Sequence, residues 1–241
     1  MENIQSVSPN QKSKDNRLEI RDYAAYLMVL VMNGLLLFIP AGRIDWLEGW
    51  IWMGLRTLYL AVTTLWAARN DPALLKERSL SGQSKGVRWD KVVANINVLL
   101  FFSIFVIAGL DAVRFGWSHI SWTVKGIAIF VLLVGFGITI WAMTANPFLS
   151  AIVRIQTDRG HHVVMSGPYQ YVRHPMYVGV LLLQISAPFI LGSLWALIPA
   201  GLDVLLFIIR TALEDKTLQA ELQGYREYTQ MVKYRLIPGI W

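Results

Sequence analysis

Gly167-Pro168-Tyr169-Gln170-Tyr171-Val172-Arg173-His174-Pro175-Met176-Tyr177-Val178-Gly179 sets an arginine, a histidine and three tyrosines against the start of an apolar run. That run, 176–191, is followed at once by a second, 194–209, with only Gly192-Ser193 between them. Two such short runs joined by two residues read as one tight helical hairpin in a bilayer or as two tilted spans. His174 precedes a proline, which disfavours helical geometry, and Pro175 suits the first position of the next helix. A helix start offers unpaired N–H groups and a partial positive charge, both suited to an anionic ligand group. Beyond the hairpin the chain turns polar again over 210–228, back on the side it left. Chemistry-capable groups are thus held at one membrane face, which suits a reaction between a water-soluble partner and a lipid-soluble one.

The rest of the chain agrees. Of its 241 residues 55% are hydrophobic and 16% charged, with a mean hydropathy of +0.45, too apolar for an ordinary soluble domain. Further apolar stretches at 23–40, 46–68, 93–113 and 122–145 each approach the roughly 20 residues needed to cross a bilayer core. The fold class expected is all-α: an integral membrane bundle of about six transmembrane helices, including the C-terminal hairpin, followed by a cytosolic C-terminal helix. Three parts are expected: a disordered cytosolic tail (1–22), a four-span bundle (23–145) and a catalytic, cofactor-binding region (146–241).

All but four of the 22 Lys and Arg residues (Arg43, Arg56, Arg114 and Lys125) fall in segments on one side of this topology. Both termini are therefore expected in the cytosol, with the basic flanks also meeting anionic lipid headgroups. The net charge of +6 needs no nucleic-acid partner. Trp46, Trp50, Trp52, Trp117 and Trp122 are expected at the outer interface. The absence of cysteine excludes disulfides, thiolate metal sites and a cysteine nucleophile. No cleavable signal and no internal repeat are visible, and no G-x-G-x-x-G loop or P-loop lysine motif occurs.

Several polar residues admit two readings. Arg173 and His174 are either a juxtamembrane orienting pair or part of a site, and the aromatic residues around them favour a site. Adjacent His161 and His162 have no carboxylate at ligand spacing, so a solvated loop and no metal are expected. Leu218, Leu222 and Tyr225 give a helix one apolar stripe, ending near Gly224. Glu214 can pair with Arg210 one turn away, or serve a site beside Arg173 and His174. Arg56 and Asp203 lie inside spans, where charge is costly; they either pair with each other or line a polar pocket reaching into the bilayer.

The residues Gly167-Pro168-Tyr169, Val172-Arg173-His174-Pro175, Tyr177 and Gly179, with Glu214-Asp215, Leu218, Gly224, Tyr225, Tyr228 and Arg235-Leu236-Ile237-Pro238, resemble the signature of the isoprenylcysteine carboxyl methyltransferase family. The wider group includes phospholipid N-methyltransferases. The resemblance covers about 146–241. It implies a membrane enzyme that uses S-adenosylmethionine, releasing S-adenosylhomocysteine, without a Rossmann domain. It further implies cofactor contacts from Tyr169, Val172, His174, Pro175, Tyr177, Gly179, Glu214, Asp215 and Tyr225, with aromatic rings facing the sulfonium. Three departures bear on the substrate: Gln170 replaces a frequent basic residue, Asp215 a glutamate, and Gln223 the phenylalanine of a Phe-Gly pair.

Methyl transfer from a sulfonium is an in-line displacement, in which alignment and exclusion of water dominate. A carboxylate acceptor, already ionised, needs a cation: Arg173 first, Arg210 second. An amine acceptor needs a proton acceptor, Glu214 or His174. The expected catalytic set is Arg173, Arg210 and Glu214, acting on a lipophilic or lipid substrate. Phospholipid amine methylation, or a non-enzymatic transporter or scaffold, are the alternatives.

Overall fold

The computed structural model describes residues 20–78 and 86–241; most of the expected N-terminal tail, with Lys12, Lys14 and Arg17, lies outside them, as does Lys85. Every described element is helical. Each of the six apolar stretches forms one helix: α1 (Ile20–Ala41), α2 (Leu47–Asn70), α4 (Arg88–Ala108, continued by a π-helical turn Gly109–Phe115), α5 (Trp122–Ala145), α6 (Pro175–Leu191) and α7 (Leu197–Glu221). Two short helices, α3 (Pro72–Arg78) and α8 (Tyr225–Met231), complete the set. Two helices, Arg88–Phe115 and Trp122–Ala145, are long and apolar enough to cross a membrane, and Leu27–Ala41 and Pro175–Leu191 are shorter apolar helices.

Boundaries follow local chemistry. Ser121 caps α5, its hydroxyl accepting from Val124 N at 3.4 Å, and Asn146 before Pro147 ends that helix. Pro175 is the first residue of α6, as expected, and Gly192, at φ 82°, makes the left-handed turn out of it. The expected break at residue 209 is absent. Helix α7 runs unbroken from Leu197 to Glu221, because no glycine or proline interrupts 202–221 and nothing in the backbone marks a membrane boundary. Its polar end and its apolar part are thus one rigid rod. Leu218, Leu222 and Tyr225 do pack together with Tyr228 and Val232, but across the break between α7 and α8 rather than on one helix.

Helices α5 and α6 form the closest pair. A Cβ on Gly179 would stand 2.6 Å from the Gly135 carbonyl oxygen and 2.4 Å from Thr139 Cγ2, so only glycine permits this crossing. The main core gathers Trp52, Phe105, Leu132, Leu183 and Ile190 from α2, α4, α5 and α6. Trp50, Trp117 and Trp122 are exposed as expected of interfacial residues, but Trp46 and Trp52 turn inward; the Trp52 ring lies 5.7 Å from Phe105.

Polar pairs fix the two ends of the bundle. At one, Asp111 in the π-helical turn accepts from Ser118 Oγ at 2.7 Å, Ser193 Oγ at 2.5 Å and Trp195 N at 3.2 Å, anchoring the hairpin turn. At the other, Arg210 of α7 holds Asp90 of α4. Arg56 and Asp203 do not pair. Asp203 accepts from Asn97 Nδ2 at 2.5 Å and from Gln184 Nε2, while the Arg56 guanidinium lies among the rings of Tyr59 and Phe101. Two amides already satisfy the carboxylate across α4, α6 and α7, so it has no need of the arginine.

Candidate active site

The stretch 146–174 forms no α-helix, only two short 3-10 turns, Thr157–Arg159 and Gly167–Gln170, so most of its order must come from outside. Asp90 accepts the Val153 N–H at 2.6 Å; Glu77 takes Arg154 with two bonds, at 2.7 and 2.6 Å. Buried Gln156 donates to the Phe148 carbonyl and accepts from Arg159 Nη1 at 2.6 Å. The strap so formed lies over the polar ends of α6 and α7.

Asp215 is the hub of the other wall. It is wholly buried, and its two oxygens accept from Arg173 Nε (2.8 Å) and Nη2 (3.0 Å), Tyr225 Oη (3.0 Å), Gln219 Nε2 (2.9 Å) and Arg235 Nε (3.0 Å), with His174 Nε2 at 3.3 Å. Burial alone would raise its pKa. The hydrogen bonds from His174 and Arg173 and their charge outweigh that and hold the carboxyl far below the ordinary range. Arg173 spends its remaining donor group on the carbonyls of Val232 and Lys233, at 2.7 and 2.8 Å. The backbone N–H groups of Arg173 and His174 donate to the carbonyls of Tyr234 and Arg235, so the segment after α8 is stitched to the start of α6. The Tyr228 hydroxyl donates to the Tyr169 carbonyl.

Between strap and hub lies a cavity of about 260 Å³. Its wall includes Tyr169, Arg173, His174, Tyr177, Arg210, Glu214 and Tyr225, seven of the residues singled out from the sequence. Of the two readings of Glu214, pairing with Arg210 is not the one seen: it accepts from the Tyr177 hydroxyl in the cavity wall. Arg210 is drawn to Asp90, with bonds of 2.8 and 3.1 Å, and to the Ala151 carbonyl at 2.8 Å. A buried fork-shaped acid offers a guanidinium two bonds where a flexible neighbour one turn away offers one. These bonds use Nε and Nη2, so Nη1 carries none, and the guanidinium carbon stands 5.6 Å from the centre of the Tyr177 ring. Burial pushes the Tyr169 hydroxyl above its usual range against the pull of the nearby Asn146 side chain, and its oxygen is buried without a hydrogen-bond partner. Tyr225 is likewise raised by burial and by the charge of Asp215.

Four residues on the expected cofactor list lie elsewhere. Val172 and Pro175 are buried outside the cavity wall, Gly179 sits at the α5–α6 crossing, and Asp215 faces the hub, about 100° around the helix from Glu214. His162 is exposed, as a solvated loop requires, but His161 is half-buried; both rings pack on Phe148, at 4.6 and 4.9 Å, and both line the cavity. Burial, with the charges of His162, Arg154 and Arg159, pushes His161 down to about 4. Asp90, Glu77 and Phe148 were not singled out from the sequence. Nothing local in the sequence marks Asp90 or Glu77, whose partners lie 120 and 77 residues away.

Residues 126–220 match the model of the isoprenylcysteine carboxyl methyltransferase family. This stretch belongs to that family. It runs from within α5 to the last turn of α7 and carries Tyr169, Arg173, His174, Tyr177, Arg210, Glu214 and Asp215. The methyltransferase-family region therefore starts earlier than the resemblance in the residues indicated, and stops short of Tyr225 and Arg235. A mouse (Mus musculus) Delta(14)-sterol reductase is 30% identical over 109 residues, 40% of this chain. The chain spans 24% of that relative's length.

Proposed function

We propose that this protein is a S-adenosylmethionine-dependent methyltransferase of the membrane, transferring a methyl group to the carboxylate of a lipophilic substrate. Helices α1, α2, α4, α5, α6 and α7 cross the bilayer, both termini lie in the cytosol, and the cavity opens on the cytosolic face. The basic residues Arg154, Arg173 and Arg210 all stand at that end of the bundle. The observation that carries the reading is one cavity, lined largely by the family-matched stretch, where an acid, an uncommitted guanidinium edge and four aromatic or imidazole rings meet.

These residues fit the cofactor. One oxygen of Glu214 remains for an ammonium or ribose hydroxyl, and the buried Tyr169 hydroxyl lacks a partner that an adenine edge or ribose supplies. The Tyr225 ring in the cavity wall offers a negative face to a sulfonium, while Tyr177 is already covered by Arg210 and His174. The bound cofactor supplies a methyl group on a positively charged sulfur, ready for displacement. The chain's own part is to bind, align and exclude water. Arg210, with Nη1 unspent and Asp90 fixing its plane, is the cation best placed to hold an acceptor carboxylate. Arg173, the first choice from sequence, is consumed by Asp215 and two carbonyls and positions His174 instead. A carboxylate is ionised at neutral pH, so no base is required. Keeping water out strengthens its contact with Arg210.

Incubation of the purified protein with methyl-labelled cofactor and a total lipid extract tests this. A labelled lipophile that releases methanol on mild alkali supports a methyl ester; a label stable to alkali points to amine methylation; no label refutes methyl transfer. The resemblance to a sterol reductase supports a second reading, in which the cavity takes a hydride donor. Thermal stabilisation by a reduced nicotinamide dinucleotide, but not by S-adenosylhomocysteine, would favour it.

A further inference from the structure

A second cavity, of about 350 Å³, lies between α2, α4 and α6 and shares Arg78, Met176, Val180 and Phe207 with the first. It is long: Arg56 and Ala67, both in its wall, are separated by about 16 Å along α2 at 1.5 Å per residue. Between its ends the wall is mainly apolar, with Leu60, Val98 and Leu183 beside Thr63, Thr64 and Thr139, and the Thr63 and Thr139 hydroxyls are spent on carbonyls of their own helices. Its remote end is polar. Arg56 makes no ion pair among the described residues, and its Nε is buried without a hydrogen-bond partner. Asn97 and Gln184 give their amide hydrogens to Asp203, leaving their carbonyl oxygens buried and unpartnered. At the near end, the partner of Arg78 among the described residues is the Met176 sulfur, at 3.5 Å. The wall thus holds two guanidinium groups and no carboxylate.

A chamber built for a plain hydrocarbon tail would end in apolar side chains, since an unpaired charge in a bilayer core is costly. Here the end that a tail would reach carries the charge. We propose that the acceptor is a lipophile with polar groups at both ends, and that Arg56 receives an anionic or hydrogen-bond-accepting group remote from the reacting head. Arg78 stands where the two cavities meet and adds its charge to that of Arg210 around the near head. That the near head is the methyl acceptor rests on the reading above; the two-ended selectivity does not.

Calorimetric titration of the full chain in nanodiscs with dodecanoate and dodecanedioate tests this. The diacid is expected to bind at least tenfold more tightly than the monoacid. Arg56→Met should abolish the difference and Arg56→Lys retain most of it, with S-adenosylhomocysteine binding unchanged in both. Because Arg56 neutralises no acid of the protein, Arg56→Met should also not lower the thermal midpoint. Equal affinities in the unsubstituted protein, a preference that survives Arg56→Met, or a destabilised Arg56→Met protein would each overturn the proposal. Failure of the methyl-transfer reading shows separately, as no S-adenosylhomocysteine binding while the diacid preference persists.

Discussion

Glu214 and Asp215 are adjacent carboxylates that the fold assigns to opposite tasks, and substituting each in turn separates them. Asp215→Asn removes the one negative charge among Arg173, His174 and Arg235, leaving the buried Arg173 without a counter-ion. Breaking a buried pair in this way costs about 3–5 kcal/mol. The lower end applies here, because Arg235 is partly exposed and Arg173 keeps two carbonyl acceptors. For a chain of this size about 3 kcal/mol corresponds to a fall in thermal midpoint of roughly 6–12 °C. The loss should be local first: residues 225–241, stitched to α6 through Arg173 and His174, become accessible to limited proteolysis before the bundle does. Since Asp215 titrates far below its unfolded value, its contribution is complete above about pH 5 and fades only as pH falls below about 4, so the deficit is equal at pH 6 and pH 8. Glu214→Gln should leave the midpoint within about 1 kcal/mol yet weaken S-adenosylhomocysteine binding about ten- to a hundredfold, the worth of a hydrogen bond to a charged group. An Asp215→Asn protein of unchanged midpoint, or a Glu214→Gln protein that binds normally, would refute the assignment.

Other substitutions probe the strap, the crossing and the cation. His161 has a folded-state value of about 4, below the ordinary 6.5, so the unfolded chain takes up the proton first and stability falls as pH drops from about 6.5 to about 4. The full shift would be worth about 3 kcal/mol, and screening at this half-buried ring reduces it to about 1–2; His161→Phe should remove that slope from thermal midpoints measured between pH 4 and 7. Gly179→Ala forces a methyl against backbone at the α5–α6 crossing and should cost about 1–3 kcal/mol in thermal melts, with S-adenosylhomocysteine affinity intact. Arg210→Lys keeps a charge beside Asp90 but loses the second edge of the fork. In methyl-transfer assays it should raise the acceptor KM about tenfold or more, with less effect on S-adenosylhomocysteine affinity.

What could be read from the residues alone was whatever depends on near neighbours. Hydrophobic runs located all six long helices, Pro175 and Gly192 marked the ends of α6, and Asn146 marked the end of α5, because caps, prolines and apolar length act within a turn or two. The convergence of Tyr169, His174, Tyr177 and Glu214 was also legible, since a hairpin returns the chain to the face it left. The pairing of charges was not. Arg210 lies four residues from Glu214 but binds Asp90, 120 residues away, and Arg56 and Asp203, both within apolar helices, find other partners. Helical spacing tells which side chains can meet on one rod; it is blind to the rotation of one rod against another.

That rotation is what sorts the cations of this bundle. Arg173 has Asp215, Arg210 has Asp90, Arg154 has Glu77 and Lys125 has Glu48. Each is a buried charge met by an acid from a distant segment, and each ties two elements together. In these pairs the guanidinium or ammonium is structural to the extent that its donors are spent. Arg173, with Nε, Nη1 and Nη2 all engaged, has little left for a ligand, whereas Arg210 keeps Nη1. Among the described residues Arg56 and Arg78 keep nearly everything, and both face the same chamber. A charge buried without its acid is destabilising unless something outside the chain supplies the counter-charge. The proportion of donors left unspent therefore ranks these arginines by how much of a ligand each can hold: Arg56 and Arg78 first, Arg210 next and Arg173 last.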